Sequence, residues 1–218
     1  TAGEVSGANY VGGLVGTNEG GIRASGMTGR ISGKAYVGGL VGQNRTDATL
    51  SQCYSNGTIA GSGNVVGGAA GENQGSVSNC TSAGTVTGHM GVGGVTGVNT
   101  GSVGQCSSAA RVDGESGSVG GLVGQNDGSG TISDCYSSGA ATGGDQTGGL
   151  VGWNKGEIST CYSTGRVNPL DESIWLVGGL VGGNVGTVSH SFWDVETSEQ
   201  SVSQGGEGRT TAEMQTQR

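Results

Sequence analysis

Residues 37–44 read VGGLVGQN, and residues 119–126 repeat the same octet. The octet carries no charge and contains no nucleophile, general base or metal ligand. Variants of it begin at Val11, Val66, Val92, Thr147 and Val177, so that the seven copies start 26, 29, 26, 27, 28 and 30 residues apart. Self-similarity at a period of this size is the signature of a solenoid, a propeller or another repeat array.

A second repeated block centres on cysteine, as in TLSQCYSNGTIAG at residues 49–61. The positions two, four and six residues after the cysteine are small or apolar, and this alternation predicts a strand with these side chains inward. The apolar residue three positions before the cysteine has the opposite parity, which predicts a corner between the two. The inward cysteine column is Cys53, Cys80, Cys106, Cys135 and Cys161, with Ser25 and Ser191 at its ends.

A period near 27 with about three short strands predicts one coil of a parallel β-helix, since a propeller blade needs roughly 40 residues or more. We therefore expect an all-β β-solenoid of about seven coils of 26–30 residues. Neighbouring coils stack about 4.8 Å apart, so seven span about 34 Å. Analogy with other large coils favours a right-handed solenoid. We expect residues 1–190 to form the repeats and residues 191–218 to form a C-terminal cap over the open end.

Residues 3–7 match residues 29–33 of the next repeat, so the chain starts inside a repeat. We expect it to be a piece of a longer protein. The formal net charge is −8 without a Lys/Arg cluster, which argues against nucleic-acid partners. The apolar runs are too short for membrane insertion.

The octet ends in asparagine, a residue that tolerates left-handed backbone and bonds nearby amides. When coils stack, one asparagine per coil predicts an amide ladder like those of cross-β stacks. The octet is therefore interpreted as a structural element of the coil and not as a binding or catalytic site. The asparagine column is Asn18, Asn44, Asn73, Asn99, Asn126, Asn154 and Asn184.

Within the octet, leucine and the following valine have opposite parity, as in Leu122 and Val123. A regular strand would then be apolar on both faces, which is typical of a sheet covered on both sides. We expect a flat Val/Gly ribbon that packs on a second copy, the tail or another domain. The alternative is a glycine-centred bulge that turns leucine and valine inward together.

The outward column after the cysteine contains aromatic residues. Tyr136, Tyr162 and Phe192 fall on adjacent coils, and Tyr54 shares the column. With neighbouring hydroxyl side chains, this face is a candidate for binding glycans or, through its threonines, ice. The competing interpretation is that the stacked rings only stabilise the sheet through neighbour packing.

The sequence predicts no catalytic, cofactor or metal site. His89 and His190 are far apart, the 17 acidic residues are scattered, and Asp194, Glu196 and Glu199 lack calcium-loop spacing. The five cysteines are expected to be a buried ladder of small apolar fillers. Two alternatives are a disulfide between neighbouring coils and a zinc site, although the chain has no CxxC spacing.

The GLVG core with its V-G-G lead and trailing asparagine resembles the GLUG-motif repeats of bacterial surface proteins, over roughly residues 1–193. The segment 191–215 also resembles the one that commonly follows the last such repeat. The resemblance implies an extracellular or cell-surface location and an adhesin-like role. Some relatives carry metallopeptidase domains, but this chain has no HExxH motif.

The functional expectation is thus a non-enzymatic extracellular structural or adhesion module without cofactors. Its partner would be another cell-surface protein, a glycan or a second copy bound through a flat sheet face. An ice- or glycan-binding β-solenoid is the first alternative. A polysaccharide-active β-helix enzyme is the second.

Overall fold

The chain winds through parallel sheets in the computed structural model, which describes residues 2–171 and 176–216. Seven coils stack in register, which confirms the predicted all-β solenoid. Each coil contributes to four sheets, A to D, rather than to the three strands that the sequence predicted. The strands, numbered in chain order, pair with their equivalents in the neighbouring coils.

Sheets B and C contain the octets, and sheet D follows them. Sheet B consists of β2 (Asn9–Gly12), β6 (Ala35–Gly38), β10 (Val66–Gly67), β14 (Val92–Gly93), β19 (Val119–Gly120), β24 (Thr147–Gly148) and β29 (Val177–Gly178). Sheet C consists of β3 (Val15–Asn18), β7 (Val41–Asn44), β11 (Ala70–Asn73), β15 (Thr96–Asn99), β20 (Val123–Asn126), β25 (Val151–Asn154) and β30 (Val181–Asn184). Sheet D consists of β4 (Gly21–Arg23), β8 (Thr49–Ser51), β12 (Ser76–Ser78), β16 (Ser102–Gly104), β21 (Thr131–Ser133), β26 (Glu157–Ser159) and β31 (Thr187–Ser189).

Sheet A follows each cysteine and has twelve strands. It consists of β1 (Ala2–Ser6), β5 (Gly26–Gly33), β9 (Tyr54–Gly61), β13 (Thr81–Gly88), β17 (Ser107–Ser108), β18 (Arg111–Gly114), β22 (Tyr136–Ser137), β23 (Ala141–Gly143), β27 (Tyr162–Ser163), β28 (Val167–Pro169), β32 (Phe192–Asp194) and β33 (Glu207–Arg209). Two short helices, α1 (Val195–Ser198) and α2 (Thr211–Thr216), lie in the tail.

The octet is a bend between sheets B and C, so the predicted exposed Val/Gly ribbon is wrong. Leu122 and Val123 are both fully buried, as are the equivalent pairs in most other coils. The physical reason is the first glycine of the octet. The chain turns so sharply at Gly120 that a Cβ there would collide with the carbonyl oxygen of Val123. In the first coil, Leu14 and Val15 are 38% exposed.

A second bend precedes each cysteine, at the corner that the sequence predicted. The residue before the cysteine has a positive φ, for example 52° at Asn79 and 53° at Gln105. This left-handed residue interrupts the strand, so the alternation of inward and outward side chains starts again after it. Val77 and Cys80 consequently both face the core, although their spacing in one regular strand would place them on opposite faces.

The tail covers the last coil. Trp193 is 6% exposed, and its indole nitrogen donates to the Gln200 carbonyl at 3.0 Å. The backbone nitrogen of Gly179 donates to the Val202 carbonyl at 3.0 Å. The Val181 nitrogen donates to the Ser203 hydroxyl at 2.9 Å, so the tail bonds strand edges that would otherwise be open. The alternation predicts an inward side chain six residues after each member of the cysteine column, but Thr197, six residues after Ser191, lies in α1 and is exposed.

Candidate functional site

The outer face of sheet A holds the aromatic residues in one row. Register pairing runs from Tyr54 through Thr81 and Ser107 to Tyr136, and then to Tyr162 and Phe192. The rings of Tyr136 and Tyr162 stack with centroids 5.0 Å apart and planes 4° from parallel. The structure thus brings these two tyrosines together. Tyr54, which is 50% exposed, stands three coils from Tyr136.

Phe192 continues the row but is covered by the tail. Strand β33 pairs with β32, and the Arg209 guanidinium lies 4.6 Å from the centroid of the Phe192 ring. This is a cation–π contact. Phe192 is therefore half-buried and belongs to the contact between the sheet and the tail. The open part of the predicted ligand face ends at Tyr162.

A trough of about 350 Å³ lies between Tyr54 and Tyr136. Its length arises because the two intervening coils carry the small residues Thr81 and Ser107 where the flanking coils carry tyrosine. A second row lines the trough two residues farther along each strand, at the third residue after each cysteine. That row is Asn56, Ala83, Ala109 and Ser138.

A larger cavity of about 580 Å³ lies between α2 and the last coils of sheet A, next to Phe192, His190 and Met214. Asp194 on its wall is 2% exposed and caps α1. The Asp194 carboxylate accepts hydrogen bonds from the Glu196 nitrogen at 2.9 Å and the Thr211 hydroxyl at 2.7 Å. This carboxylate therefore already has partners that join α1 to α2.

The other tail acids considered for calcium also have protein partners. Glu196 accepts from the Thr211 nitrogen at 2.9 Å, and Glu199 pairs with Arg166. Within residues 2–171 and 176–216, no group of three His, Cys, Asp or Glu residues is arranged to hold a metal ion. His89 and His190 are both exposed and lie in different coils.

The asparagines form one continuous ladder along the solenoid. Each side-chain nitrogen donates to the side-chain oxygen of the next asparagine at 2.8 Å, in six successive steps. The same nitrogen also donates to a carbonyl in its own coil, as from Asn126 to Gly130 at 3.2 Å. Asn44, Asn73, Asn99, Asn126 and Asn154 are fully buried. The ladder links consecutive coils from Asn18 to Asn184.

The cysteines form a second ladder of free, buried thiols. The backbone nitrogen of Cys106 donates to the sulfur of Cys135 at 3.3 Å, and Cys80 bonds Cys106 in the same way at 3.4 Å. Ser191 replaces cysteine at the C-terminal end of the ladder, where its hydroxyl accepts a hydrogen bond from the backbone nitrogen of Cys161 at 3.0 Å. The hydrogen bond between Cys106 and Cys135, together with burial, raises the pKa of Cys106 from 9.0 to about 12.

We expect the cysteine ladder to make the protein less stable at high pH. Unfolded thiols ionise above about pH 9, whereas the raised pKa of Cys106 and Cys135, about 12 each, keeps the folded thiols protonated. The free energy of unfolding should therefore fall as the pH rises from 9 towards 12. Urea unfolding followed by circular dichroism across this range measures the slope.

The matched control for this slope is the triple variant Cys80→Ser, Cys106→Ser and Cys135→Ser. Serine hydroxyls do not titrate in this range, and Ser191 shows that serine fits the column. The variant should lose the part of the slope that the thiols contribute. An identical slope in the two proteins would contradict the raised thiol pKa.

A column of buried serines lies beside the cysteine ladder. It explains why the second glycine of the octet has no room for a side chain. The Ser55, Ser82, Ser137 and Ser163 hydroxyls are buried without a conventional hydrogen-bond partner among the described residues. Each faces an octet glycine across the core, where any Cβ would collide with the hydroxyl oxygen, as at Gly121 opposite Ser137. Weak Cα–H···O contacts are the interaction available at such a close approach.

A second tyrosine stack was not anticipated. Tyr10 and Tyr36 stack with centroids 4.8 Å apart and planes at 16°. Both occupy the position directly before the octet and have positive φ values of 54° and 55°. Alignment on the octet places them in one column, directly before its first valine.

Comparison with known proteins supports the repeat assignment. The family model described as "The GLUG motif" matches residues 33–60, 115–142 and 143–168. The crystal structure of a "putative immunoglobulin A1 protease" from Bacteroides ovatus is similar in fold, with a TM-score of 0.68 and 20% identity. The match covers 85% of this chain and 68% of that one. No curated protein matches the chain.

Proposed function

Because the chain is a β-solenoid that carries GLUG motifs, we propose that it is a non-enzymatic structural and adhesion module of an extracellular or bacterial cell-surface protein. The observation that carries this proposal is the unbroken asparagine ladder, with its six bonds of 2.8 Å across seven coils. Together with in-register sheets, it fixes the first and last coils about 29 Å apart. Such a module spaces its two ends and displays the outer face of sheet A.

The surface chemistry supports protein or glycan partners rather than nucleic acid. The formal net charge is −8, whereas phosphate binding draws on clustered Lys and Arg. Among the described residues, no helix has the length and apolar character that crossing a bilayer requires.

An ice-binding role has less support from the same face. Ordering of water calls for a regular, flat array of hydroxyl groups. Here the Arg111–Asp113 ion pair, at 2.8 Å, projects from β18, and Arg30 pairs with Glu4 on the strands of the first coils. Sheet A is also split into two short strands in each of the three coils from β17 to β28.

An enzymatic role finds support only from the name of the structural neighbour. At 20% identity this likeness shows the fold alone. The tail carboxylates of Asp194, Glu196 and Glu199 are engaged by Thr211 and Arg166. These contacts favour a structural use of the acids in the cap.

Beads coated with the purified protein test the proposal. We expect them to attach to mucin-coated or matrix-coated surfaces more often than beads carrying the same mass of albumin. Incubation of the protein with polysaccharides and peptides should release no reducing ends or fragments. Time-dependent product release that scales with protein concentration would contradict the non-enzymatic role, and attachment equal to albumin would contradict the adhesive one.

A further inference from the structure

We infer that the trough between Tyr54 and Tyr136 binds a neutral saccharide, with a pyranose ring stacked on Tyr136. This inference rests on the proposed adhesive role and gives that role a ligand class and a place. It also moves the ligand site from the Tyr162–Phe192 end of the row towards the middle of the sheet.

The free face of Tyr136 is the first observation. Its ring is parallel to that of Tyr162 on the adjacent coil, with centroids 5.0 Å apart, so both rings face along the solenoid axis. Tyr162 covers one face of Tyr136. The other face points towards the coil that carries Ser107, where the row has no ring, and Tyr136 remains 40% exposed.

The missing rings define the size of the ligand. Three coil spacings separate Tyr54 from Tyr136, a distance of about 14 Å along the axis. Tyr54 leans away from the trough, since its ring occupies the space that a Cβ on Gly26 would take. The positions of Thr81 and Ser107 therefore leave two empty steps in the row. A ring placed on Tyr136 at stacking distance fills the first.

The polar groups point to a saccharide rather than an aromatic side chain. The side chains of Asn56, Thr81 and Ser107 line the trough and make no hydrogen bond within the described residues, so their amide and hydroxyl groups are available to sugar hydroxyls. An aromatic ligand would bury these groups unpaired, at a cost. Ala83 and Ala109 provide an apolar floor between the polar ends.

The charge of the trough selects a neutral ligand. Among the described residues, none that lines it is charged. A uronic acid or a sulfated sugar would therefore lose hydration without gaining a cationic partner. The combination of one open aromatic face, unpaired hydroxyl and amide groups and an apolar floor matches the two kinds of surface on a neutral pyranose.

The test is binding of the whole chain to neutral oligosaccharides of two to six hexose or N-acetylhexosamine units, on an array and then in solution. Ser107→Tyr is the decisive variant, because it places a ring in the empty step and extends the existing stack. We expect it to keep the circular dichroism spectrum and melting temperature and to abolish binding. Thr131→Tyr, on the exposed side of sheet D, is the matched control and should bind like the wild type.

Tyr136→Ala is an independent arm, since it removes an exposed ring without filling the trough. We expect it to weaken binding at least tenfold. Failure of the wild type to bind any neutral oligosaccharide, unchanged affinity in Ser107→Tyr or Tyr136→Ala, or a preference for acidic sugars would overturn the inference. If coated beads carrying Ser107→Tyr still attach as the wild type does, the adhesive role stands and the trough is not its site.

Discussion

Gly120→Ala is expected to destabilise the solenoid by at least about 3 kcal/mol, a large effect for a single methyl group. The added Cβ would meet the carbonyl oxygens of Val123 and Leu150 and the nitrogen of Gly152, which are all backbone atoms. Backbone at the centre of a stack cannot give way without breaking the register with both neighbouring coils. At this chain length, the loss corresponds to a fall in melting temperature of roughly 6–12 °C.

Gly128→Ala provides the matched control, because Gly128 lies in the same coil. A Cβ there has no heavy atom within 4 Å, and its φ lies outside the left-handed range. This variant should melt within about 2 °C of the wild type, as surface substitutions do. Thermal unfolding followed by circular dichroism compares the two variants. Equal melting temperatures would mean that the octet does not turn where the structure places its bend.

Asn126→Ala should cost about 2–4 kcal/mol, because it leaves several buried groups unpaired at once. Asn126 accepts from Asn99 and donates to Asn154, both at 2.8 Å, and it also donates to the Gly130 carbonyl. Water has no access to this position, since all three asparagines are fully buried. The ladder would thus be cut in its middle.

Asn18→Ala is the control for the ladder. Asn18 is the first rung and makes one ladder bond, to Asn44. Its other bonds, with Gly20 and Thr49, are only part-buried, so water can replace them when the side chain is removed. We expect a cost of about 1 kcal/mol. Urea unfolding yields both free energies. Similar losses for Asn18→Ala and Asn126→Ala would show that the ladder contributes no more in the core than at the end.

The stacking of the coils was predictable because it depends on the spacing of repeats. The corner before the cysteine was also predictable, since Val77 and Cys80 conflict in parity and a corner resolves the conflict. The bend inside the octet was not resolved in advance. Gly120 and Gly121 have no side chains, so they carry no alternation that would distinguish a bend from a straight strand.

The candidate site was predictable only in part. Column alignment identified Tyr136 and Tyr162 as neighbours, but it could not show that Arg209 covers Phe192, because that contact joins the sheet to the tail. The trough was not predictable, for a different reason. Thr81 and Ser107 are small, and small side chains on an outer face have no pattern that sets them apart from ordinary surface residues.

The central claim is that the chain forms one unbroken stack of coils in register. Thr49 and Thr187 are exposed positions of one row in sheet D, five coil steps apart. Spin labels on Thr49→Cys and Thr187→Cys, in a background with the native cysteines changed to serine, allow this separation to be measured by pulsed electron paramagnetic resonance. The stack predicts one narrow distribution centred near 24 Å between the backbone positions, before the reach of the labels is added. A broad distribution, or a backbone separation that differs by a full coil spacing or more, would contradict it.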